Sequence, residues 1–154
     1  MQRWTRILVM VGGTTALLAV SVYAAAPEDG KAAFVQREDT MRRMGHALYL
    51  GVGRVVKGTA ELNTDTVTAA DTVVGLSHTL VPLFPVGSDV EDSKMKPEIF
   101  AAQDRIPALV AGVEDAAQKL SVAVKSGDKS VIAAAYAVTN NACNACHNQF
   151  RKAE

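Results

Sequence analysis

The spacing of apolar side chains constrains the fold of this chain more than any other feature. Four segments carry apolar residues at intervals of three, four or seven, which is the pattern of an amphipathic helix. No segment of useful length alternates apolar and polar side chains as a half-buried strand does. Helices of about 20 residues are roughly 30 Å long and suit an antiparallel bundle. The sequence therefore predicts an all-α fold, an antiparallel four-helix bundle.

Cap and turn residues set the limits of the predicted helices. The first spans 34 to about 56, and the fourth runs from 129 to about 151. Three of the five prolines lie between residues 82 and 97, which predicts an ordered surface crossover between the second and third helices. The residues expected at the helix ends are Gly58, Asn63 or its neighbours Thr64 and Asp65, Pro82, Asp104, Gly127 and Asp128. The inward-facing residues expected on the second helix are Val67, Ala70, Val74 and Val81.

The first 26 residues have the arrangement of a secretory signal peptide. Arg3 and Arg6 precede an apolar run over 7–20, and small residues follow to Ala26. We expect cleavage near Ala24 to Ala26, with residues 1–24 as the signal peptide and 25–154 as one domain. An uncleaved membrane anchor is the alternative. An exported domain of this kind is expected in the periplasm, in the Gram-negative manner.

Charge and aromatic content narrow the possible functions. The 154 residues include 16 Lys and Arg and 16 Asp and Glu, without the basic block that binding to nucleic acid requires. Loss of the signal peptide leaves 14 cationic against 16 acidic residues and removes the single tryptophan, Trp4. The aromatic residues that remain are Phe34, Tyr49, Phe84, Phe100, Tyr136 and Phe150. So few aromatic rings suggest that another large group helps to fill the core.

A motif near the C-terminus supplies a candidate for that group. The only two cysteines, Cys143 and Cys146, are followed directly by His147 in the fourth predicted helix. Residues three and four apart share one helix face. Two thiols so placed can add to the two vinyl groups of haem while the imidazole binds the iron, and this spacing is typical of c-type haem attachment. We expect one covalently bound haem c and its iron.

Three other interpretations of the two cysteines are weaker. A thioredoxin-like redox pair would lie near a strand–helix–strand unit, which this sequence lacks. A disulfide across three residues of a helix closes a very small loop with strained geometry, although a helical disulfide protein without haem stays open as a distant alternative. A zinc site needs four ligands, and the remaining imidazoles, His46 and His78, lie on separate predicted helices. We interpret His46 as a surface or dimer-edge residue and His78 as a structural or solvated one.

With its haem motif in the last of four helices, the chain resembles the class II cytochromes c, the group of cytochrome c′ and its low-spin relatives. The resemblance covers nearly the whole chain after the signal peptide. It rests on three segments: Arg37 to Met41, Lys96 to Phe100, and Cys143 to Arg151. The family usually has Gln where this chain has Glu38.

The resemblance implies a role for individual residues. Cys143 and Cys146 would form the haem thioethers and His147 would be the proximal iron ligand. Met41 falls where the family places the residue facing the other side of the haem, with Met44 as a substitute. The resemblance also places Arg37 near a haem propionate and Arg151 near the proximal imidazole.

Coordination by Met41 decides the expected function. With a Met41–iron bond the haem would be low-spin, and the chain would be a periplasmic one-electron carrier that serves other redox proteins and is not an enzyme. This is our expectation from the sequence. The alternative is a five-coordinate, cytochrome c′-like protein that binds nitric oxide or carbon monoxide on the distal side. The resemblance also admits a homodimer through the first two helices, and no nucleic acid or lasting membrane association is expected.

Overall fold

The structure is a computed structural model that describes residues 30–90 and 92–153. The expected signal peptide, residues 1–24, lies outside the described residues. Within them, no helix is both long enough and apolar enough to span a membrane.

Helices dominate the described chain and form the expected four-helix bundle. The first predicted helix consists of α1 (Gly30–Gly45), a π-helical segment (His46–Val52) and α2 (Gly53–Val56). The others are α3 (Thr64–Ser77), α4 (Ile106–Ser126) and α5 (Lys129–Phe150). Short 3₁₀ helices over Val81–Leu83 and Pro97–Arg105 belong to the crossover and its exit. Across the described ranges the chain forms no strand, only one isolated antiparallel bridge between Met95 and Arg151.

Most predicted helix ends are confirmed. The Asn63 side chain accepts a hydrogen bond from the Thr66 amide, and Asp128 accepts from the two amides that open α5. Gly58 and Gly127 follow their helices with φ of 69° and 77°, the left-handed conformation that glycine adopts without a steric penalty.

The second and third predicted helices differ from expectation at one end each. Helix α3 ends at Ser77, and Val81 is 44% exposed in a 3₁₀ turn instead of facing inward. Pro82 has no amide hydrogen to donate to the carbonyl four residues before it, and its ring clashes with that carbonyl, so the α-helix does not continue past His78. At the start of α4, a 3₁₀ helix from Pro97 runs directly into Ile106, and Arg105 occupies the cap position without a side-chain bond. Asp104 is therefore not the cap that the sequence suggested.

The π-helical segment has no counterpart among the sequence predictions. At this point the first helix lies close to α3 and α5. A Cβ atom on Gly51 of the segment would come within 2.4 Å of Ala69 Cβ, and one on Gly53, the first residue of α2, within 2.9 Å of the Tyr136 hydroxyl. Glycine at these two positions permits the close approach.

Helices α3, α4 and α5 run antiparallel to their neighbours. The Ser121 hydroxyl of α4 donates to Asp71 of α3 at 2.6 Å, and Thr139 of α5 donates to the Ala116 carbonyl of α4 at 3.1 Å. We define the closed end of the bundle by five fully or nearly fully buried apolar residues, Ala70, Ala117, Leu120, Val124 and Ile132. The opposite end holds a large cavity.

Candidate haem site

The cavity has a volume of about 1020 Å³ and opens between α1, α4, α5 and the crossover. Ligand cavities in proteins commonly measure roughly 300–1,000 Å³, so this one is large enough for a bulky planar group. Its α4 wall is apolar. The residues that form that wall are Ile106, Leu109, Val110 and Val113.

Helix α5 brings the three motif residues to the same cavity. Cys143, Cys146 and His147 all line it and all are half-buried. The two cysteines are free thiols and are not joined in a disulfide. Burial raises the pKa of both thiols. Burial, and then the positive charge of Arg151, lower the pKa of His147, which keeps the imidazole neutral and able to bind a metal.

Helix α1 lies across the cavity from this motif. Met41 and Met44 both line it, with Met41 half-buried and Met44 buried. Both therefore line the α1 side of the cavity, and the haem-facing role that the resemblance implies for Met41 stays a prediction.

Arg37 lines the cavity one helical turn before Met41 and is only 4% exposed. Its guanidinium donates four hydrogen bonds to the crossover, the shortest to the Leu83 carbonyl at 2.7 Å. The pKa of Arg37 is lowered, because the effect of burial exceeds that of the nearby carboxylates of Glu38 and Asp89, which raise it. The side chain stays protonated because the ordinary pKa of arginine is far above neutrality.

The end of α5 turns back over the cavity mouth. Arg151 leaves the helix in an extended conformation and pairs with Met95 of the crossover. It lines the cavity one helical turn after His147, and its amide donates to the His147 carbonyl at 2.9 Å.

The structure adds wall residues that the sequence did not assign. Tyr49 lines the cavity, and its hydroxyl donates to the Asn140 side chain at 2.9 Å. The pKa of Tyr49 is raised, mainly by burial and to a smaller extent by the nearby Cys143 and Tyr136. Three buried side chains, Phe84, Met95 and Phe150, complete the wall. Their only sequence signal is that they are large and apolar within or beside segments rich in polar and turn residues.

The two remaining histidines lie away from the cavity. His46 faces a shallow groove between the first helix and α3, and His78 Nδ1 is 3.2 Å from Glu114 on α4. In the described chain, no three His, Cys, Asp or Glu side chains are grouped so that they could hold a metal ion by themselves.

These residues fit covalently attached haem. Two thiols and a neutral imidazole share one helix face, and that face opens into a cavity whose α4 wall is apolar. The donor set is that of a c-type haem attachment, in which the protein supplies two sulfur links and one nitrogen ligand.

Comparison with known proteins gives the family. A family model described as cytochrome c′ matches residues 32–151. The chain belongs to the cytochrome c′ family. The cytochrome c′ of Rhodospirillum rubrum is 24% identical over 137 residues, which cover 88% of this chain and 93% of that protein.

Solved cytochrome c′ structures have the same fold. A ferrous variant from Alcaligenes xylosoxidans with bound nitric oxide superposes with a TM-score of 0.73, at 23% identity, over 83% of this chain and 99% of that one. A cytochrome c′ described by its ligand-controlled dimer dissociation gives a TM-score of 0.74, at 20% identity, over 83% of this chain and 100% of that one. These two similarities concern the fold alone.

Members of the cytochrome c′ family carry covalently attached haem c with iron, and some form dimers. When bound, the haem iron supplies a site that takes up an electron or a small ligand. In this chain α5 would hold the haem, His147 would offer a nitrogen to the iron, and Met41 and Met44 of α1 would lie on the opposite side.

Proposed function

We propose that this chain is a periplasmic haem c protein that binds a small uncharged gas, nitric oxide or carbon monoxide, beside Met41. Cys143 and Cys146 form the thioethers and His147 binds the iron from the α5 side. Each thiol adds across one vinyl group, so that a carbon–sulfur bond forms, the hydrogen goes to the other vinyl carbon, and no oxidant is needed. The protein then acts by binding and not as an enzyme.

One observation carries the proposal. The cavity between α1 and α5 has the His147 face on one side, and on the other side the apolar side chains Met41, Met44 and Leu48 lie next to charged residues of α1. Val110 and Val113 of α4 extend the apolar surface. Apolar side chains favour small uncharged molecules over ions, because an ion would lose its hydration there without compensation. A relative with bound nitric oxide supports the same assignment.

The sequence alone favoured a different function, a six-coordinate electron carrier with Met41 on the iron. Membership of the cytochrome c′ family supports gas binding better. Export to the periplasm follows from the predicted signal peptide, residues 1–24, and from the family. A homodimer through the first two helices remains part of the proposal.

Optical spectra of the purified holoprotein test the function. We expect a high-spin ferric spectrum and prompt binding of carbon monoxide to the ferrous form. A low-spin ferric spectrum with a sulfur-to-iron charge-transfer band, together with slow or no binding of carbon monoxide, would contradict gas binding and support the electron carrier.

The variant Met41→Ala separates the two functions further, with Met44→Ala as the matched control on the same helix. If Met41 only covers the iron, Met41→Ala stays high-spin and binds carbon monoxide faster than the parent. If Met41 is a ligand, the same change converts a low-spin parent to high-spin, whereas Met44→Ala leaves the spin state unchanged.

A further inference from the structure

The hydrogen bonds of Arg37 all run to one segment of the chain. Its Nη1 atom donates to the Leu83 carbonyl at 2.7 Å and to the Ser88 hydroxyl at 3.0 Å. Its Nη2 atom donates to the Ser88 carbonyl at 2.8 Å and to the Ser93 hydroxyl at 3.2 Å. Each Nη atom carries two hydrogens, so these four bonds use every terminal N–H of the guanidinium. Arg37 therefore joins α1 to the crossover.

Two aromatic rings hold the same guanidinium from its sides. The Arg37 Cζ atom lies 5.8 Å from the centre of the Phe34 ring and 5.6 Å from that of Phe84. Cation–π contacts of this length are attractive and strengthen when water is excluded. Close packing continues at the start of α1, where a Cβ atom on Gly30 would come within 2.2 Å of the Gly87 carbonyl oxygen.

The other end of the crossover is held by the segment after α5. The Lys152 amide donates to the Lys94 carbonyl at 2.7 Å, and the Lys152 ammonium donates to the Ser93 carbonyl at 2.9 Å. Ser93 thus contacts both Arg37 and Lys152. Phe84, Lys94 and Met95 of the crossover line the cavity, so the segment that Arg37 holds is one of its walls.

We propose that Arg37 is a positioning residue that fixes the crossover as a wall of the haem cavity and thereby limits the size of the ligand that reaches Met41. Arg37 and Met41 are four residues apart and lie on one face of α1. The family resemblance suggested a propionate contact for Arg37, but its terminal donors are already engaged with protein oxygens. The effect on ligand size rests on the gas binding proposed above.

The test uses the full-length holoprotein and two ferrous-haem ligands of different size, carbon monoxide and n-butyl isocyanide. The variants are Arg37→Gln, Arg37→Lys and Ser88→Ala/Ser93→Ala. The matched control is Arg43→Gln, because Arg43 is an exposed arginine of the same helix that pairs with Asp39 and does not line the cavity. Flash photolysis gives the rates at which the two ligands bind. Amide hydrogen exchange measures how well the backbone amides of residues 84–96 are protected from solvent.

We expect the ratio of isocyanide rate to carbon monoxide rate to rise at least about tenfold in Arg37→Gln. Glutamine cannot replace all four bonds of the guanidinium, and loss of even one hydrogen bond to a charged group corresponds to about that factor. The serine pair removes only the two hydroxyl acceptors and keeps the Leu83 and Ser88 carbonyls, so it should give a smaller rise. Adding it to Arg37→Gln should give little more, because the bonds to the two hydroxyls are already lost there. Arg37→Lys keeps the charge but not the four-bond geometry, so its rate ratio should fall between those of the parent and Arg37→Gln. Amides of 84–96 should exchange faster in the variants, and Arg43→Gln should match the parent in both measurements.

Three results would overturn the proposal. Unchanged exchange over 84–96 in Arg37→Gln and in the serine pair means that Arg37 does not hold the wall. Faster exchange with an unchanged rate ratio means that the wall does not select ligands by size. A raised rate ratio in Arg37→Gln without faster exchange over 84–96 assigns the effect of Arg37 to the haem itself. If the parent protein binds no carbon monoxide, the proposed function is wrong, and hydrogen exchange alone then decides whether Arg37 holds the wall.

Discussion

The two ends of the bundle are built from the same helices but are packed very differently. At the closed end, α4 contributes Ala117, Leu120 and Val124, all less than 2% exposed. At the cavity end, the first half of α4 turns Ile106 and Val110 toward a cavity of about 1020 Å³. Helix α5 repeats the contrast, because Ile132 is buried while the Cys143-to-His147 motif is only half-buried.

This difference shows that the chain supplies a complete core at one end only. Protein interiors are packed about as densely as organic crystals, and a cavity of this size has no place in a finished core. The cavity end therefore needs a large group to complete it, and the attached haem of the cytochrome c′ family is such a group. The few aromatic residues of the chain fit this arrangement, since Tyr49, Phe84 and Phe150 gather around the cavity.

Removal of haem attachment should have the largest effect and separate the two ends most clearly. In Cys143→Ser/Cys146→Ser the cavity stays unfilled, and we expect a loss of at least about 3–5 kcal/mol, the scale of a large side chain deleted from a core. Urea unfolding followed by circular dichroism, compared with the parent holoprotein, measures the loss.

Hydrogen exchange in the same double variant checks whether the loss is local. Amides near Leu120 and Ile132 should keep more protection than amides near Met41 and Met95. Cys143→Ser alone retains one sulfur link and is the matched intermediate. Equal loss of protection at both ends would show that the closed end is not a core of its own.

The features that the sequence predicted correctly are mostly local ones. Asn63, Asp128 and Gly127 end or begin helices through bonds and dihedral angles within a few residues of themselves. The haem motif is local too, since Cys143 and His147 are one helical turn apart. Such features need no knowledge of the tertiary structure.

The features that the sequence did not predict depend on distant partners. Arg37 is buried because Ser88 and Ser93 accept its hydrogen bonds from about fifty residues away. Thr139 is fully buried since its hydroxyl donates to the Ala116 carbonyl of another helix. A polar residue at a core position costs little once its bonds are made, but hydrophobic periodicity cannot reveal those bonds.

Truncation of one leucine at each end should give the next largest effect. Leu120 is fully buried at the closed end, so Leu120→Ala should cost about 2–5 kcal/mol. Leu109 is half-buried on the cavity wall, so Leu109→Ala should cost less than about 2 kcal/mol and should instead change the rate of carbon monoxide binding. Urea unfolding and flash photolysis of the two holoproteins measure both quantities. Similar losses of stability in the two variants would mean that the ends do not differ as described.

The smallest predicted effect concerns the ionic contacts at the closed end. Asp71 of α3 accepts hydrogen bonds from Ser121 at 2.6 Å and from the Lys125 ammonium at 2.8 Å, both on α4. The bond with Lys125, and then that with Ser121, lower the pKa of Asp71. A lowered pKa stabilises the folded state above the ordinary aspartate value of about 4, and this contribution is lost as the pH falls through the lower folded-state value.

Asp71→Asn should accordingly destabilise the holoprotein at neutral pH by no more than about 1 kcal/mol, because both charged side chains are about half exposed. The difference between parent and variant should shrink as the pH falls below about 4, since the parent carboxylate then becomes protonated. Taking that difference at each pH cancels any effect of acid on the haem end that the two proteins share. Asp115→Asn is the control, because its partner Lys119 lies on the same helix and the pair joins no second element. If the Asp71 difference were constant down to pH 3, the carboxylate charge would contribute nothing to the closed end, whose stability would then come from packing and neutral hydrogen bonds alone.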